Sequence, residues 1–97
     1  MPTAIFSMND EMAISAMKGF INHGVRIPEE LSITGFDDRQ VSRYLNPALT
    51  TISQPAEKIG EKSAELLLQL IEGKKPNQTE FVLPYDFVIR ESTAIKK

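Results

Sequence analysis

The chain has no cysteine and no tryptophan among its 97 residues, and only one histidine. The absence of cysteine excludes disulfide staples, thiolate nucleophiles and sulfur-ligated metal, and it suits a reducing compartment. The single histidine, His23, ends a helical stretch beside Gly24. There it reads as a partner of the helix C-terminus, not as a base or a ligand. A Ser-His-Asp arrangement also lacks a nucleophile elbow to carry it. Five glycines lie scattered and build no phosphate-cradling loop. No apolar run approaches the ~20 residues of a membrane span, and no basic-then-apolar leader opens the chain. Positive charge is thin as well. With a net charge of −2 and only the pairs Lys74-Lys75 and Lys96-Lys97 adjoining, this segment carries no electrostatic footprint for nucleic acid.

What is present is an ordinary globular composition, 41 % hydrophobic and 25 % charged. A chain of this length holds one core, burying roughly 60–65 % of its unfolded surface. The expected location is the cytoplasm.

Along the chain, "TAIFS" (3–7) predicts a short strand. Ser7 and Asp10 form an S-x-x-D capping-box variant before a helical stretch, "NDEMAISAMKGFINHG". In it Met12, Ala13, Ala16, Met17, Phe20 and Ile21 recur at the spacing of one helix face. Gly24 suits the C-cap, and Pro28 closes a polar turn. "LSITG" (31–35) predicts a second strand, which completes a βαβ unit and implies parallel pairing. "RQVSRYL" (39–45) has room for two helical turns before Asn46-Pro47. "TTISQ" (50–54) reads as another extended piece. Pro55 opens a long helix to Gly73, with Ile59, Ser63, Leu66, Leu67, Leu70 and Ile71 on one face. "TEFVLP" and "DFVIRE" read as two final strands. The order predicts an α/β protein with a three-layer, open, mostly parallel sheet.

In such a sheet ligands bind at the carboxyl ends of the strands. The first strand ends in Ser7-Met8-Asn9-Asp10 and the second in Phe36-Asp37-Asp38, so the two polar clusters share one sheet edge. Each residue also has a purely structural reading. Ser7 or Asn9 serves as the helix N-cap, Asp10 as a dipole and capping residue, and Asp38 as the cap of the short helix near Arg39. Phe36 suits core or a stacking surface equally. Asp37, closest to the strand end, is the hardest to explain as a cap. Asp10, Asp37 and Asp38 are also the residue type of a magnesium site with Asp37 as phosphoacceptor, but no segment cleanly supplies the accompanying Lys or Thr. Short polar side chains at a strand edge suit recognition of hydroxyls or amide-like groups, because a carboxylate accepts several hydrogen bonds and an Asn both donates and accepts.

The segments "PTAIFSMNDEMAISAMKGFINHGVRIPEELSITGFDD", "RYLNPALTTISQP", "GEKSAELLLQLIEG" and "FVIREST" together resemble the lactose/galactose-repressor (LacI/GalR) family. The resemblance runs in unbroken order from Pro2 to Thr93. Its motifs, N-D-x-M-A, R-x-P-E-x-L-S-x-x-G-F-D-D, P-A-L-T-T-I-x-Q-P and R-E-S-T, keep the family's spacing.

The resemblance implies the C-terminal part of a two-lobed, periplasmic-binding-protein-like effector-binding core. Residues 1–48 and 85–93 would belong to the C-terminal lobe, and 50–83 to a crossover and an N-terminal-lobe segment. The DNA-binding helix-turn-helix and the first half of the core would lie outside this chain. Asn9 and Asp37 carry over as effector contacts, with Asp10 behind them, and Ile14, Tyr44 and Leu45 match the homodimer interface. The implied partners are a sugar, sugar derivative or purine-like effector, a second copy of the chain, and operator DNA reached only through the missing N-terminal domain. No cofactor, metal, membrane or enzymatic activity is expected. A sugar-binding component of a transport system is the rival, and a magnesium-dependent phosphoacceptor domain the third reading. A partial lobe should also leave sheet edges and one face of helix 55–73 without partners. The chain alone is therefore expected to associate and to bind effector weakly or not at all.

Overall fold

Two three-residue strands and the helix between them set the frame. In the computed structural model, which describes residues 2–96, β1 (Ala4–Phe6) pairs in parallel with β2 (Ser32–Thr34), Ile5 standing opposite Ile33. The expected βαβ unit is therefore present. Helix α1 (Asp10–Asn22) joins the two strands. It starts where Asn9 adopts an extended backbone and its side-chain oxygen accepts from Met12 N at 2.8 Å. The cap is thus Asn9, not the Ser7–Asp10 box. The helix stops at His23, whose ring Nδ1 lies 2.9 Å from Gly19 O, and Gly24 follows at φ +84, a conformation open to glycine.

The face that α1 buries is narrower than its apolar pattern. Ala13 and Met17 join Ile27, Leu31, Ile33 and Leu49 in the core, with Phe20 and Ala16 packed beside them. Met12 and Ile21, at the margins of the stripe, remain exposed. Leu31, Ile33 and Leu49 are the largest apolar side chains fully removed from water. Each contributes roughly 1.5–3 kcal/mol of burial.

After β2 the chain makes a 3₁₀ helix (Gln40–Tyr44) where two ordinary helical turns were expected. An isolated parallel bridge between Thr34 and Thr50 extends the sheet, and Gly35 N donates to Thr50 O at 2.9 Å. β3 (Thr51–Ser53) then pairs antiparallel with β4 (Asp86–Val88). The described sheet structure is therefore a parallel pair, a parallel bridge and one antiparallel pair, consistent with the mostly parallel sheet expected.

The chain divides into two compact units. One comprises the described part of Met1–Ser53 and Asp86–Lys97, and the other is Gln54–Tyr85. In the first, the segment "REST" ties the sheet together. Arg90 Nη1 donates to Leu49 O, Glu91 Oε1 accepts from Ala48 N, and the Ser92 hydroxyl accepts from Thr50 N while donating to Ile33 O at 2.6 Å. The second unit holds helix α2 (Ala56–Ile71), which has no buried residue. Lys62 Nζ sits 4.2 Å from the centre of the Phe81 ring. The expected strand "TEFVLP" does not form, and Val82 is almost wholly exposed. Its β-branched and aromatic residues favour a pleated, half-buried surface, and no strand among the described residues pairs with it.

Candidate functional site

The carboxyl ends of β1 and β2 meet as the topology requires. Ser7 N donates to Thr34 O at 2.9 Å, and Asp10 N donates to Phe36 O at 3.0 Å, so the start of α1 lies against the end of β2. Gly35 makes this approach possible. A Cβ there would collide with Asp10 Oδ1 and stand 3.0 Å from Leu49 Cδ2 and 3.2 Å from Asp10 Cα. Asn9, Asp10, Glu11, Asp37 and Arg39 together line a small polar depression of about 180 Å³. That is smaller than the ~300–1,000 Å³ of most small-molecule pockets.

Asp10 has a task that sequence reasoning did not assign. It is fully buried, and its Oδ2 accepts from Arg39 N at 2.7 Å and from the Ser42 hydroxyl at 2.5 Å. Its Oδ1 accepts from the Thr51 hydroxyl at 2.6 Å. The carboxylate caps no helix; it fastens α1, the 3₁₀ helix and β3 to one point. A buried charge is tolerable here because three donors surround it.

Asp37 and Asp38 occupy the left-handed side of backbone space, with φ of 112° and 57°. Such conformations cost a non-glycine residue on the order of 1–3 kcal/mol each, and Asp tolerates them better than most. Specific bonds hold them. Asp37 N donates to Ile52 O at 2.9 Å, and Asp38 N donates to Thr51 Oγ1 at 3.3 Å.

Asp38 does not cap the following helix, which has no side-chain cap at all. Its carboxylate instead accepts from Arg90 Nη2 at 2.8 Å, in a pair whose side chains are only 12 % and 14 % exposed. Asp37 is exposed, Asn9 half-buried and Phe36 half-buried. Arg39 and Glu11, both largely exposed, form a 2.7 Å ion pair at the edge of the depression. Of the residues matched to a dimer interface, Ile14 and Leu45 pack against the chain's own core, whereas Tyr44 is 73 % exposed.

The two strand ends are marked in the sequence, but their supports, Ser42, Thr51 and Arg90, carry no local signal there. Among the described residues no group of three or more His, Cys, Asp or Glu is arranged to hold a metal ion. No helix among them is long and apolar enough to cross a membrane.

Comparison with known proteins identifies the family. Residues 1–93 match the periplasmic binding protein-like domain family. The ribose operon repressor of Haemophilus influenzae is 43 % identical over 94 % of the chain, which spans 27 % of that protein. A LacI family transcriptional regulator from Enterococcus faecium, solved with bound ribose, is 41 % identical with a TM-score of 0.86. That match covers 98 % of the chain and 35 % of the regulator. The lac repressor dimer, solved on operator with an anti-inducer, is 36 % identical with a TM-score of 0.87, covering 97 % of the chain and 32 % of that structure. The chain therefore spans about a quarter to a third of the length of the proteins it matches.

Proposed function

The chain belongs to the periplasmic binding protein-like domain family, and from that premise we propose that it is the C-terminal part of the effector-binding and dimerisation core of a LacI-type transcriptional repressor. Residues 1–48 and 85–93 serve the C-terminal lobe and 50–83 the crossover and N-terminal-lobe segment. The division of the chain at Ser53 and Asp86 supports that assignment. The effector is a sugar, and the chemistry is binding, with no bond made or broken. Operator DNA is contacted by the repressor's separate helix-turn-helix domain, in the cytoplasm.

The observation that carries this reading is the meeting of Asn9 and Asp37 at one depression beyond the ends of β1 and β2. A carboxylate there accepts from sugar hydroxyls. The helix cap uses Asn9 Oδ1 only, leaving the amide nitrogen to donate. A site built this way rejects analogues that lack the matching hydroxyl, since its own polar groups would be left unpaired. Asp10 stands beneath them as a support, its oxygens already occupied. The exposed Tyr44 ring, with Ile14 and Leu45 beside it in the assignment, forms part of the contact with a second copy. Effector binding then shifts the relation of lobes or subunits, and with it DNA affinity.

Thermal shift of the intact protein against D-ribose, cellobiose and hypoxanthine tests this. D-ribose is expected to raise the melting temperature, and Asp37→Ala to shrink the rise without abolishing it. A shift with hypoxanthine alone would replace the sugar with a nucleobase. An undiminished shift in Asp37→Ala would remove Asp37 from the site.

A further inference from the structure

The Asp38–Arg90 pair has no part in the contacts just described, yet it is the most enclosed ion pair among the described residues. It adjoins Asp37 in the chain, at a point where two consecutive non-glycine residues hold positive φ. We propose that Asp38 and Arg90 are positioning residues for effector recognition, holding the Asp37 backbone in the one conformation that presents its carboxylate to the ligand. This inference rests on the effector-binding reading above.

The geometry supports a strut. Arg90 is fixed at three points: its backbone N–H donates to Thr50 Oγ1 at 2.9 Å, Nη1 to Leu49 O at 2.9 Å, and Nη2 to Asp38 Oδ1 at 2.8 Å. The guanidinium therefore links the 49–50 stretch to the acid pair. A lysine, with a single ammonium on a flexible stem, cannot hold a carbonyl and a carboxylate in this fixed fork. Asp38 in turn adjoins Asp37, whose N–H is tied to Ile52 O. Strained backbone persists only where its surroundings over-determine it. Among the restraints here are two backbone N–H bonds and one enclosed ion pair. Without the pair, the segment would relax toward negative φ, and the Asp37 carboxylate would turn away from the depression it lines with Asn9. A binding group gains affinity from being held in place before the ligand arrives.

Two measurements on the intact protein test the proposal. The first needs no ligand. Amide hydrogen exchange at Asp37 is expected to accelerate about tenfold or more in Arg90→Lys and in Asp38→Gly, with Ala13 in α1 unchanged. Asp38→Asn, which keeps the left-handed preference and an acceptor oxygen, should restore most of the protection. Unaltered exchange at Asp37 in both Arg90→Lys and Asp38→Gly would overturn the strut.

The second measurement is D-ribose affinity by calorimetry. Asp38→Gly is expected to weaken binding about tenfold in the wild-type background and to add nothing in an Asp37→Ala background, the signature of acting through Asp37. Equal losses in both backgrounds, or no loss in either, would overturn the positioning role. Should the wild type ignore D-ribose, the ribose reading fails and the exchange rates alone decide the strut.

Discussion

Thr51 Oγ1 donates a 2.6 Å hydrogen bond to Asp10 Oδ1 across 41 residues of sequence, and both residues are buried. With Arg39 N and the Ser42 hydroxyl on the other oxygen, the Asp10 carboxylate ties three segments together. Removing an acceptor from buried donors costs more than the bond itself contributes, since each donor is then left dry and unpaired. Asp10→Ala is expected to destabilise the intact protein by roughly 3 kcal/mol or more in urea unfolding. Thr51→Val, which removes one hydroxyl and keeps the shape, should cost about 1–2 kcal/mol. An Asp10→Ala protein within about 1 kcal/mol of wild type would show that the three bonds hold nothing together.

Gly35 concerns the same junction from the other side. It lacks a positive φ, so its role is space: a methyl group there would run into the Asp10 carboxylate and backbone. Neither neighbour is the loose end of a flexible side chain, because Asp10 is anchored by its three donors. Gly35→Ala is expected to lower stability by roughly 1–3 kcal/mol, the usual cost of overpacking. It should also lower D-ribose affinity, since the Asn9 and Asp37 strand ends are pushed apart. A melting temperature unchanged in the alanine variant would place the α1–β2 junction elsewhere.

Asn9 has two roles that substitution can separate. Its Oδ1 caps α1, and its amide nitrogen is the proposed ligand donor. Asn9→Ala should lose about 1 kcal/mol of stability along with effector affinity. Asn9→Ser keeps a capping oxygen but has no amide donor. It is expected to melt like wild type while binding D-ribose about tenfold less tightly. Wild-type affinity in Asn9→Ser would reduce Asn9 to a helix cap.

These residues also show which features a sequence can disclose. The βαβ unit was legible because strand, amphipathic helix and strand are each marked by local pattern, and parallel pairing follows from the crossover. The two strand ends were legible for the same reason. Asp38 was misread as a cap because its partner, Arg90, stands 52 residues away, past all of α2. Local rules offered it only the helix beginning next to it. Asp10 does stand in the first turn of α1, as a dipole residue should, but it is no cap, and its donors lie out of local view, 29, 32 and 41 residues downstream. "TEFVLP" failed as a strand for the opposite reason. Its residues favour a pleated surface, but a strand also needs a paired neighbour, and composition does not supply one.

Helix α2 presents the corresponding question at the level of a whole element. Leu67, Leu68 and Leu70 are each 57–58 % exposed and Ile71 is 71 % exposed, while no residue of the helix is buried. A helix of 16 residues is marginal by itself in water, so an apolar face left wet gives it little support. The 97-residue chain expressed alone is therefore expected to cover these residues by self-association. Sedimentation velocity at micromolar concentration should show species heavier than the 10.9 kDa monomer, with helical circular dichroism rising as concentration rises. The double variant Leu67→Glu, Leu70→Glu should shift both readings toward monomer and lower helicity. A compact wild-type monomer whose helicity does not change on dilution would mean that α2 is stable without any apolar partner.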